Sequence, residues 1–94
     1  MDVVAEVRIM VVMISAGCVA AYGEIGWALG VGARRAGRTV ALLDDDVPWW
    51  RVVHADGTPA TCHEGGARAL LEAAGVPFRG GRVDMAKLRA AGIG

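Results

Sequence analysis

Residues able to do chemistry gather in three places in this 94-residue chain. The run Val47-Pro48-Trp49-Trp50-Arg51-Val52-Val53 sets two adjacent indoles between a rigid proline and an arginine, in a chain with three Trp and one Phe. Large aromatics usually bury area, but a Trp pair after a Pro also makes a stacking wall for a flat ligand. Arg34, Arg35 and Arg38 fall within residues 31–43, which hold no acid, and Asp44, Asp45 and Asp46 follow at once. With ten basic and ten acidic residues the formal net charge is zero, so this local basic face fits a small footprint on a polyanion better than an extended coat. Cys62 and His63 put a thiol beside an imidazole. Neighbours along an extended chain point to opposite sides, so adjacency alone does not make them an ion pair. Cys18, Cys62, His54 and His63 show no metal-ligand spacing, and neither a metal nor another cofactor is expected.

The elements that must position these groups follow from periodicity and breakers. Val3, Val4, Val7, Met10, Val11 and Ile14 recur at helical spacing and predict a first helix over residues 3–14, stopped by Ser15-Ala16-Gly17. Tyr22 to Leu29 form a second, short helix with Ile25, Ala28 and Leu29 on its apolar face and Gly30 just past its end. After Val31-Gly32, residues Ala33 to Leu43 form a third, with Ala36, Val40 and Leu43 inward and the arginines elsewhere. Two short helices joined by a glycine-containing turn are a helix-turn-helix pattern. Pro48 ends helical structure, Arg51 to His54 suit a strand, and Ala55-Asp56-Gly57-Thr58 is a turn. Gly65-Gly66 open a fourth helix facing inward through Ala67, Leu70, Leu71 and Ala74 and ended by Gly75. Val76-Pro77-Phe78 suit a second strand, Arg79-Gly80-Gly81 a turn, and Asp84 a cap on a last helical stretch, Met85 to Ala90. The expectation is one domain, residues 1–94, mainly α with a short β wing: a winged-helix-like helix-turn-helix domain. A chain of this length buries only roughly 60–65% of its unfolded surface, so its core is modest.

From about residue 14 to 75 the chain resembles the O6-alkylguanine-DNA alkyltransferase family, and within it the alkyltransferase-like proteins. The family pattern Ile-Pro-x-Gly-x-Val-x-x-Tyr-Gly-x-Ile-Ala is met by Ile14, Gly17, Val19, Tyr22, Gly23 and Ile25, with Ser15 in place of Pro. Ala-Arg-x-Val-Gly is met by Ala33, Arg34 and Gly37, with Ala36 in place of Val. The Val-Pro-x-x-Arg-Val-Val frame is complete at Val47, Pro48, Arg51, Val52 and Val53, and Gly57 and Gly65-Gly66 follow at compatible distances. One glycine match is weak; three ordered motifs are specific.

The resemblance implies a helix-turn-helix that enters the minor groove of duplex DNA and rotates a damaged nucleotide out of the stack. Arg34 matches the arginine that fills the gap, a task suited to a planar guanidinium. Tyr22 matches the tyrosine that presses on the neighbouring phosphate. Ala33, Ala36 and Gly37 give the small face needed for close approach, and Arg35 and Arg38 are expected on phosphates. The family transfers alkyl groups to a thiolate made by a neighbouring His and a carboxylate. Those three places hold Trp49, Trp50 and Ala74. Trp49, Trp50 and Arg51 are expected to line the lesion pocket, with packing in the core as the alternative for Trp49 and for Trp50 and structural hydrogen bonding as that for Arg51. What the resemblance implies is a non-enzymatic sensor of O6-alkylguanine in duplex DNA, acting as a monomer and marking lesions for nucleotide excision repair proteins. Two alternatives stay open: an active methylated-DNA-protein cysteine methyltransferase using a displaced thiol, and a winged-helix transcription regulator. Two cysteines without redox spacing and an apolar start preceded by Asp2 and Glu6, not by a cationic segment, lead to an expected cytoplasmic location with no membrane partner.

Overall fold

The computed structural model describes residues 2–90; the expected domain of 1–94 extends past these by Met1 and residues 91–94. Helix α1 (Val3–Val12) begins at Asp2, whose carboxylate accepts from the Val4 amide at 3.1 Å. Val7 and Val11, one turn apart, are fully buried, and Val3, Val4, Met10 and Ile14 pack beside them. Ile9, Val12 and Met13 are exposed, so α1 is apolar on nearly every side and its periodicity alone does not define the inner face. Helices α2 (Tyr22–Leu29) and α3 (Ala33–Ala41) form the helix-turn-helix, with α1 laid against both.

The α2–α3 connection depends on two glycines. Gly30 takes the left-handed φ of 72° that ends α2, and the Val31 amide then reaches back to the Gly26 carbonyl at 2.7 Å. Gly26 is buried where the turn passes over the helix: a Cβ there would stand 2.6 Å from the Val31 carbonyl oxygen. The two helices approach this closely only because that side chain is missing.

The segment expected as a strand from Arg51 to His54 is instead a single 3-10 turn, Trp49–Arg51, followed by the two-residue strand β2 (Val52–Val53). Pro48 bends the chain, and the Arg51 amide bonds back to the Pro48 carbonyl at 3.1 Å, which removes Arg51 from extended structure. The partner of β2 is β1 (Ala20–Ala21), which was not foreseen; the pair is parallel, with Ala20 opposite Val52 and Ala21 opposite Val53. Helix α4 (Ala67–Ala73) buries Ala67 and Leu71, whereas Leu70 and Ala74, also expected inward, are exposed. Ala28 of α2 likewise faces out.

The wing is the antiparallel hairpin β3 (Phe78–Arg79) and β4 (Arg82–Val83), followed by α5 (Met85–Ala90) with the Asp84 carboxylate accepting from the Lys87 amide at 3.0 Å. The wing is joined to the 55–58 turn through the Val83 amide and the Gly57 carbonyl, 2.9 Å apart. Gly57 has φ 90°, and a Cβ on it would run into Val83. Among the described residues there are thus four strands of two residues each, more than the two expected, in an otherwise helical fold. One buried cluster joins α1, α2, α3 and Trp49; a second joins Val53, Leu71, Val76 and Val83; Trp50 packs against both. No described helix is long and apolar enough to cross a membrane.

Candidate nucleic-acid interface

Helix α3 presents the basic face. Ala36, Thr39 and Val40 point inward, and Thr39 satisfies its hydroxyl on the Arg35 carbonyl at 2.8 Å. Arg34, Arg35 and Arg38 are therefore turned to solvent. The described ion pairs use Arg8, Arg68, Arg82 and His63 instead, which leaves these three guanidinium groups available. The first turn of α3 holds no acid and Gly32 before it offers no side-chain cap. Its unpaired amides and the positive end of the helix dipole add to the arginines in favouring an anion. Ala36, placed inward by periodicity and on the small DNA-facing side by the resemblance, is fully buried and follows the first of these.

Beside α3 lies an open groove of about 520 Å³ lined by Tyr22, Ala33, Arg34, Gly37, Arg38, Ala41, His54, Thr61 and Cys62. Five of the residues singled out in the sequence therefore converge: Tyr22, Ala33, Arg34, Gly37 and Arg38. Arg35 is exposed on the same helix but outside this lining. A Cβ on Gly37 would rest on the Tyr22 ring at 3.7 Å, so this position of α3 lies directly against that ring. His54 meets the Tyr22 ring edge-on, with centroids 5.0 Å apart. Ala41, His54, Thr61 and Cys62 were not expected at the groove; they arrive from the end of a helix and from loops, where no periodic pattern points to a shared face.

Tyr22 is mostly buried, and this desolvation, helped by the nearby Cys62, pushes its phenol from the ordinary 10.0 up to about 12. The hydroxyl is thus neutral across the physiological range and can donate toward an anionic oxygen without charge repulsion. Because the folded value lies above the unfolded one, the stability this proton contributes is complete below pH 10 and is lost as pH rises toward about 12. The chain holds one tyrosine, so the tyrosinate absorbance near 295 nm, where thiolates do not absorb, should follow it with a midpoint near 12 in the folded protein. A midpoint near 10 with the fold intact would mean that Tyr22 is freely solvated.

The tryptophans lie elsewhere. Trp49 is 4% exposed and sits in the main core, stacked on His63 with centroids 4.2 Å apart and planes within 14°. Trp50 is half-buried, edge-on to Trp49, with the Arg51 guanidinium 5.8 Å from its ring centre. Arg51 donates from Nη1 to the Ile14 carbonyl at 2.9 Å, which ties the 3-10 turn to the end of α1. None of Trp49, Trp50 and Arg51, expected at the lesion pocket, lines the groove beside α3. The physical reason is the turn at Pro48, which directs the first indole into the apolar gap between helices.

Cys62 does reach the groove, but burial raises the pKa of its thiol and so disfavours a thiolate. The imidazole beside it in sequence is turned away: His63 Nε2 lies 2.7 Å from the Leu43 carbonyl and so carries its proton toward it. Among the described residues no group of three or more His, Cys, Asp or Glu side chains could hold a metal ion.

Residues 2–76 match the family model for the DNA-binding domain of 6-O-methylguanine DNA methyltransferase. Solved structures with the same fold include S. pombe Atl1 in complex with damaged DNA containing O6-carboxymethylguanine, 26% identical, with a TM-score of 0.76 over 90% of this chain and 91% of that one. S. pombe ATL in complex with DNA is 31% identical, with a TM-score of 0.70 over 81% of this chain and 78% of that one. Mycobacterium tuberculosis O6-methylguanine methyltransferase is 30% identical, with a TM-score of 0.65 over 79% of this chain but only 48% of the longer protein. No curated protein sequence matches the chain.

Proposed function

The chain belongs to the 6-O-methylguanine DNA methyltransferase family through its DNA-binding domain, and from that premise we propose that it is a non-enzymatic reader of O6-alkylated guanine in duplex DNA. The observation that carries this reading is a groove flanked by free arginines in which no nucleophile is poised to react. Helix α3 lies along the minor groove, and its arginines engage phosphates. Arg34 fills the gap left by the extruded nucleotide, while Tyr22 leans on the adjacent phosphate. The groove beside α3 receives the base. Extrusion costs a few kcal/mol, less for a weakly paired lesion, which favours the alkylated base over its neighbours. At the nucleophile and partner positions of the family motif stand Trp49 and Trp50, and indole does not accept an alkyl group as a thiolate does. A lesion held without repair has to be passed on, and we assign that step to nucleotide excision repair proteins. The same proposal has the protein acting as a cytoplasmic monomer.

Likeness to the M. tuberculosis enzyme and the presence of Cys62 at the groove support a second reading, alkyl transfer to that thiol. One experiment separates the two. A duplex bearing radiolabelled O6-methylguanine is titrated against its plain counterpart, and the protein is then digested and counted. The expected result is a preference for the lesion of at least about tenfold, or ~1.4 kcal/mol, with the label retained on DNA. Label on Cys62 or Cys18 would establish transfer. Equal affinity for both duplexes would remove lesion reading and favour a winged-helix regulator.

A further inference from the structure

The stack between Trp49 and His63 covers one face of the indole with a ring that a flat base could replace. A flat five-membered heteroaromatic ring lies 4.2 Å from the indole, nearly parallel to it, and is held at its edge by one hydrogen bond, to the Leu43 carbonyl. The other ring nitrogen, Nδ1, is buried with no partner. The backbone that delivers the ring is unfavourable as well. His63 and Glu64 have φ of 53° and 64°, the only left-handed residues besides glycine among those described. Left-handed backbone at non-glycine residues persists when surrounding contacts over-determine it, and it clusters at clamps and switches. Thr61 and Cys62, immediately before His63, line the groove beside α3. The loop that lays the His63 ring on Trp49 thus also supplies part of that groove's wall.

We propose that His63 is a tethered plug that occupies the stacking face of Trp49 until a flat, alkylated purine displaces it. This rests on the reading of the chain as a lesion binder and names the step by which a buried indole would become part of the pocket. When the 61–65 loop swings out, His63 Nδ1 gains water, the non-glycine residues leave left-handed backbone, and the groove deepens to Trp49. These gains offset the lost stack and the lost bond to Leu43. A base that cannot replace the stack leaves the plug in place, so the imidazole acts as a threshold on what enters. Removing it raises the competent fraction and with it the apparent affinity.

The test uses the full chain and proton NMR of its two histidines, His54 and His63. In the free protein the ring current of Trp49 displaces the His63 imidazole protons, and comparison with His63→Ala identifies them. Saturation with an O6-methylguanine duplex should return these protons to ordinary positions, whereas the plain duplex should leave them displaced. In parallel, His63→Ala should raise affinity for the lesion duplex relative to the plain one by roughly three- to tenfold, the size of one aromatic pair. Protons that stay displaced at saturating lesion would overturn the plug while leaving lesion binding intact. Movement of equal size with both duplexes would also overturn it, because the loop would then respond to DNA and not to the base. Absence of lesion preference in both proteins would overturn the plug together with the function it serves. Should His63→Ala fail to fold, the wild-type shifts decide alone, with His54→Gln supplying the assignment.

Discussion

Trp49→Ala should unfold the domain at temperatures where the wild type is stable. The indole is 4% exposed, belongs to the cluster joining α1, α2 and α3, and is stacked on His63 and edge-on to Trp50. Truncating a buried Trp to Ala removes about 3–5 kcal/mol, through lost transfer energy and the cavity left behind. A domain of this size holds roughly 5–14 kcal/mol in total. At ~4–8 °C per kcal/mol, thermal unfolding followed by circular dichroism should shift down by about 12–40 °C. Where the variant is unfolded, binding to plain and lesion duplexes should fall together, since both need the folded helix-turn-helix. Trp49→Phe, which keeps most of the apolar volume, should recover much of the loss. A melting temperature within about 5 °C of wild type would show that Trp49 contributes little to the core. Trp49 thus differs from a side chain that only lines an open cleft, whose loss would spare the fold and change discrimination alone.

Arg34→Ala should have the opposite profile. Arg34 is exposed on α3 and holds none of the described ion pairs or side-chain hydrogen bonds, so stability should change by no more than about 0.5 kcal/mol. What it should remove is the filler of the vacated stack. A stacked group supplies ~1–3 kcal/mol against an extrusion cost of a few kcal/mol, which places the expected loss of lesion affinity at roughly tenfold to a hundredfold. A 2-aminopurine at the flipped position should lose most of its fluorescence rise on binding. Arg35→Ala, on the same helix but outside the groove, is the matched comparison: it should weaken both duplexes alike and lower the salt slope by about one. Unchanged 2-aminopurine fluorescence with Arg34→Ala would take the gap-filling role from this residue.

Much of this architecture was legible where a local rule governs it. The inward set of α3 (Ala36, Val40 and Leu43), the left-handed Gly30 that ends α2 and the Asp84 cap of α5 each follow from spacing or from the chemistry of one residue, and each is present. The parallel pairing of β1 and β2 was not legible. Two-residue strands carry no alternation, and the contact joins positions more than thirty residues apart in sequence. At the site, Tyr22, Arg34, Gly37 and Arg38, which the resemblance put on the DNA-facing side, line one groove because the start of α2 packs beside α3. The place of Trp49 was not legible because a one-residue rotation at a proline turn decides whether an indole faces the groove or the core, and no neighbouring residue type reports that rotation. Cys62 was weighed as a nucleophile and as a metal ligand, when its visible place is in a wall of the groove.

The short β1–β2 ladder has a mechanical meaning. Tyr22 follows β1 directly, His54 follows β2 directly, and the two rings touch, so a push delivered at the phenol passes through Ala20 and Ala21 into Val52 and Val53, both fully buried. Any body that unstacks a polymer as stiff as duplex DNA must yield less than the polymer does where they meet, or the deformation ends up in the wrong partner. Under the reading proposed above, four residues of backbone packed into the interior give the tyrosine that backing, as an abutment carries thrust into the ground.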